Sequence, residues 1–146
     1  MKRLPVMVRN GLALIGLLMS LGAGAQAKDV VAVVSIESPV TTLSRNQTVD
    51  IFLGRSKRFP DGSQAVPIDQ VEGSVARDVF YANFAGMSAA QIKTHWSKII
   101  FTGRGLPPRA LPSGKEVIRL VADNPNAIGY VEPDVVDDTV RVLVVR

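Results

Sequence analysis

Residues 73–77 of the chain, Gly-Ser-Val-Ala-Arg, hold the side chains best placed for chemistry. Gly73 and Ser74 stand directly before a helix-forming stretch, and Arg77 lies one turn further on. At a helix start the first backbone N–H groups lack intrahelical partners and the helix dipole is positive. Such a junction can receive an anion with no charged side chain at all. Ser74 Oγ would add a donor and Arg77 a cation; the plainer role for the same serine is to cap the helix. Gly73, Ser74 and Arg77 are the candidate ligand-binding residues, and an oxyanion is the ligand class that suits them.

Other chemistry finds little support. His95 is the one histidine, and its place beside Ile92 and Trp96 puts it at the edge of a buried helical stripe. With no second histidine and no cysteine, a zinc site of the usual kind, thiol catalysis and disulfide exchange are all excluded. Asp134, Asp137 and Asp138 cluster, but without the D-x-D-x-D-G spacing of a calcium loop they read as a solvated turn. Neither a G-x-S-x-G elbow nor a phosphate-binding G-x-x-x-x-G-K-[ST] loop occurs. No catalytic residue, metal site or cofactor is expected.

The first 27 residues read as a signal peptide. Lys2, Arg3 and Arg9 precede an apolar core at 12–21 (LALIGLLMSL), and Ala25-Gln26-Ala27 gives the small-x-small cleavage pattern. The apolar core falls short of the ~20 residues of a spanning helix, so no stable membrane insertion is expected after cleavage behind Ala27. Residues 28–146 then form one domain, in which fourteen cations meet thirteen acids. The formal charge of +4 therefore belongs largely to the leader. Arg55, Lys57 and Arg58 make one small basic cluster, read as a solvated loop, and no nucleic-acid partner is expected.

The elements that must position Gly73, Ser74 and Arg77 follow from periodicity and caps. Residues 30–34 (VVAVV) are β-branched and apolar on both faces, as in a central strand. Ser44 to Gln47 and Ser88 to Gln91 have the spacing of capping boxes, as do Ser113 and Glu116. The helix after Ser44 should bury Val49, Phe52 and Leu53 and stop at Gly54. Residues 65–68 suit a strand, and the helix after Ser74 should bury Val79, Phe80 and Phe84 and end at Gly86. The next helix carries Ile92, Trp96, Ile99 and Ile100 as an apolar stripe. Residues 103–112, with two glycines and three prolines, are expected to be irregular. A last helix faces Val117, Leu120 and Val121 inward and stops at Asn124-Pro125. Strands at 127–131 and 139–145 complete an α/β sandwich of order β-α-β-α-α-α-β-β.

The ordered motifs are together more telling than any one of them. Ser38-Pro39-Val40, Asp50-Ile51-Phe52-Leu53-Gly54, Phe59-Pro60-Asp61-Gly62 and Pro67-Ile68-Asp69-Gln70 are followed by Gly73-Ser74, Arg77-Asp78, Trp96, Phe101-Thr102-Gly103 and Asn124 to Val131 (NPNAIGYV). This series resembles the substrate-binding proteins of phosphate ABC transporters, which have the type 2 periplasmic binding fold. It is most similar to their short, single-lobe members. The resemblance implies a mixed sheet flanked by helices, corresponding to the second lobe of the two-lobed proteins. Residues 30–34 are then similar to the strand that crosses in from the first lobe. The family's anion segment resembles R-x-x-G-S-G-T-R. Here Gly73, Ser74 and Arg77 match it, the leading arginine falls on Gln70, and Gly-Thr falls on Val75-Ala76.

The resemblance implies an exported, non-enzymatic solute-binding module in the periplasm. Its ligand would be inorganic phosphate or another oxyanion, and its partner an ABC transporter or a second copy in a homodimer. The alternative is a protein-interaction or regulatory scaffold on the same fold that has lost ligand binding.

Overall fold

A computed structural model of the protein describes residues 29–146, and the expected leader lies outside them. Strands β1 (Val31–Ser35) and β2 (Thr42–Leu43) come first, then helix α1 (Arg45–Phe52) and strand β3 (Val66–Gln70). Helices α2 (Val75–Ala85) and α3 (Ala89–Phe101) follow, then β4 (Arg109–Leu111) and α4 (Gly114–Ala122). Strand β5 (Ala127–Val131), a 3-10 turn at Pro133–Val135, and strands β6 (Val140–Val142) and β7 (Val144–Val145) end the chain.

The main sheet runs β4-β3-β5-β1-β6, while β2 and β7 form a separate parallel pair. Strands β4, β3 and β5 are mutually parallel; β1 runs antiparallel to β5 on one side and to β6 on the other. The expected mixed sheet flanked by helices is thus present. Strand β1 explains its own apolar run. Ala32 and Val34 pack under α1, α2 and α3, and Val33 packs under α4. Both faces of the strand are buried, and each fully covered aliphatic side chain contributes roughly 1.5–3 kcal/mol.

The two faces differ in kind. The first is aromatic: Phe80 stacks on Tyr130 with ring centroids 4.0 Å apart, and Phe52 meets Phe80 edge-on at 4.7 Å. The second is aliphatic, built by Val117, Ile118 and Val121 of α4 on Val33, Ile68, Ala127, Val131 and Val140. There Gly129 lets the helix approach closely. A Cβ at that position would stand 2.5 Å from Val117 Cγ1, closer than any real contact.

Four expectations need correction. Residues 103–112 are not wholly irregular, because Arg109–Leu111 pairs in parallel with β3 as an edge strand. Prolines sit around it, at 107, 108 and 112, where an edge tolerates them. Residues 139–145 are not one strand: Leu143 turns into the core, its N–H bonds to Ala32 O, and Val144 then bonds to Thr41 O beside β2. The capping boxes at Ser44 and Ser88 are complete, but Ser113 Oγ only accepts weakly from Glu116 N at 3.5 Å. The stripe on α3 buries Ile92 and Trp96 and half-buries Ile99, while Ile100 turns outward. The other helices bury further residues that the stripe reading passed over: Ile51 on α1, Tyr81 on α2 and Ile118 on α4.

Candidate functional site

Parallel α/β sheets bind ligands outside the carboxyl ends of their strands. At that edge of β3, β4 and β5 lies a cleft of about 390 Å³. Gln70 and Ser74 line it from the β3–α2 junction, and Ser113, Gly114 and Lys115 from the start of α4. Glu132 and Asp134 face it from the segment after β5. Larger hollows of about 610 Å³ beside α4 and about 710 Å³ over the outer face of α3 contain none of the predicted site residues.

The turn into α2 depends on Gly73, whose φ of +89° is one that side chains resist. Ser74 then caps the helix: Oγ accepts from Arg77 N at 3.3 Å and donates to Gln70 Oε1 at 3.1 Å. Its own N–H bonds to Val71 O. The N–H groups of Gly73, Val75 and Ala76 find no hydrogen-bond partner among the described residues. The open donors at this junction are therefore Gly73, Val75 and Ala76, and the Ser74 hydroxyl is engaged twice.

Arg77 goes elsewhere. Its side chain is only 12% exposed and folds inward, with Nε 3.6 Å from Asp69 Oδ1. The guanidinium lies over the Tyr81 ring, 5.4 Å from its centroid. At that distance the pair is electrostatic, and Arg77 Nε has no hydrogen bond. Of the three predicted residues the structure thus brings Ser74 to the cleft, sets Gly73 in the turn before it and directs Arg77 inward to Asp69.

Behind the cleft is a network that periodicity does not reveal. The buried Asp69 carboxylate accepts from Tyr81 Oη at 2.7 Å, from Tyr130 Oη, and from Gln70 N at 2.8 Å. Gln70 Nε2 in turn donates to the Tyr130 carbonyl at 3.0 Å. Burial first, and then the Asp69 charge, push both tyrosine hydroxyls above their ordinary range, so both stay protonated and act as donors. The sequence signal for this network is the polar pair Asp69-Gln70 closing an otherwise apolar strand.

The remaining candidates lie apart. His95 Nε2 is 2.9 Å from the Leu53 carbonyl and ties α3 to the end of α1. Asp137 binds the N–H and hydroxyl of Thr139, which hold its carboxyl below the usual range. Among the described residues no helix is long and apolar enough to cross a membrane.

No family model and no curated protein matches the chain. Solved structures do. An ABC-type phosphate transport receptor from Vibrio cholerae superposes with a TM-score of 0.64 at 19% identity, over 81% of this chain and 46% of that one. A putative phosphate ABC transporter substrate-binding protein from Clostridium perfringens, solved with bound phosphate, gives 0.62 at 25% identity, over 81% and 45%. PstS from Borrelia burgdorferi gives 0.59 at 15% identity, over 82% and 47%. The fold is therefore that of phosphate ABC transporter substrate-binding proteins, and the chain spans about half the length of the structures it matches.

Proposed function

We propose that residues 28–146 form an exported, non-enzymatic solute-binding module that takes phosphate or a similar oxyanion at the head of α2. The observation that carries this reading is the set of open N–H groups of Gly73, Val75 and Ala76, on either side of the cleft residue Ser74 and just after the carboxyl end of β3. Three backbone donors and a helix dipole supply what an oxyanion needs. Gly73 and Ser74 shape the turn, and Arg77 contributes positive potential from behind, partly offset by Asp69. Lys115 adds charge across the cleft, whereas Glu132 and Asp134 oppose it. A second surface, from another copy or a transporter component, would close the open side. The leader expected at residues 1–27 would deliver the module to the periplasm.

Isothermal titration of phosphate into refolded, ligand-free residues 28–146 tests this reading. Saturable heat is expected. Val75→Pro is the sharpest variant, because proline at the first helical position keeps the fold and removes one donor. Losing a hydrogen bond to a charged group should weaken binding about tenfold or more. Unchanged binding in that variant would refute the site.

A second reading has its own support: Gln70 stands where the resemblance implies an arginine and ties up Ser74 Oγ, and Val71 and Val75 on either side of the turn are exposed. Silence with phosphate, sulfate and molybdate, together with self-association in light scattering, would favour a protein-binding scaffold.

A further inference from the structure

We propose that the carboxyl end of α3 and the loop after it form a docking surface for an anionic lipid bilayer. Phe101, the last residue of α3, is 93% exposed, and Leu106 in the following loop is 79% exposed. Ile100, beside Phe101 in the chain, is half exposed. Scattered apolar side chains on a surface are ordinary, but three exposed ones within seven residues are not.

The charges nearest these side chains in sequence have one sign. Residues 93–104 contain three lysines and arginines and no acid, while the chain after the leader is close to neutral. Lys93 and Lys98 share the outer face of α3 with Phe101. Arg104 is held at the helix end by its N–H bond to Ile99 O at 3.0 Å, across the left-handed Gly103. Lys98 and Arg104 have no ion-pair partner among the described residues, and Lys93 meets only the exposed Glu72 at 3.8 Å. A helix end attracts cations without any partner, so the basic residues alone would say little. A protruding aromatic beside unpaired cations is different: the ring enters the headgroup–acyl boundary while the cations meet anionic lipid. A second copy fits the same corner poorly, because a two-fold contact would set Lys98 and Arg104 against their own like charges.

Vesicle flotation of residues 28–146, which hold the whole described fold, tests the proposal. Binding is expected to phosphatidylcholine vesicles that contain phosphatidylglycerol, and to fade at high ionic strength. Phe101→Ser should abolish it. Lys98→Gln with Arg104→Gln should weaken it about 25-fold, from about fivefold per cation. All three side chains are exposed, so circular dichroism and unfolding midpoints should stay unchanged. Equal binding to neutral vesicles, binding indifferent to these variants, or no binding at all would overturn the proposal. So would self-association that disappears in Phe101→Ser, which would give the corner to a second copy.

Discussion

Helices α2 and α4 both begin on the same cleft, each behind a serine cap, yet they are held there by different forces. The start of α2 is rooted in polar contacts: Ser74 bonds to Gln70, Gln70 to Tyr130, and Tyr130 and Tyr81 to Asp69. The start of α4 rests on packing, with Val117 and Val121 pressed onto Gly129 and a serine cap at the limit of hydrogen-bond distance. Hydrogen bonds fix direction, whereas apolar contact fixes distance. The α2 head is thus held in orientation, as a set of aimed N–H donors requires, while the α4 head is held mainly in depth.

Substitutions can break this contrast. The largest effect is expected at Asp69→Ala, which leaves two buried tyrosine hydroxyls without an acceptor and Arg77 unopposed. Removing one partner of a buried charged network costs about 3–5 kcal/mol, and urea unfolding would read it. Gly129→Ala comes next. Its Cβ must displace Val117, an overpacking cost of about 1–3 kcal/mol in the same assay. A larger loss for Gly129→Ala than for Asp69→Ala would show that packing dominates both helix starts. The smallest effect sharpens the comparison: Ser74→Ala should cost about 1 kcal/mol as a lost N-cap, and Ser113→Ala clearly less. Equal losses at the two serines would mean that the tie from Ser74 to Gln70 adds nothing.

What the sequence discloses here is local. The complete capping boxes at Ser44 and Ser88 are readable because cap and partner stand three residues apart. The strand at Ala127–Val131 is readable because both its faces are apolar. Strand β4 is not, since three residues among prolines have no strand character until β3 pairs with them. The Asp69–Tyr130 contact joins residues 61 apart, and no periodicity encodes it. The inward turn of Arg77 ends on the same Asp69 carboxylate. Motif spacing therefore places Gly73 and Ser74 at the head of α2 but does not encode whether the arginine faces a ligand or an internal carboxylate.

The position of β1 between β5 and β6 sets an order on folding. The strand synthesised first among these is gripped only by strands synthesised near the end, roughly a hundred residues later. A partial chain leaving the ribosome has no partner for β1 in this sheet, and so cannot close its core early. It stays pliable until the last fifth of the sequence is made, the state in which a polypeptide can be threaded through a narrow translocation pore.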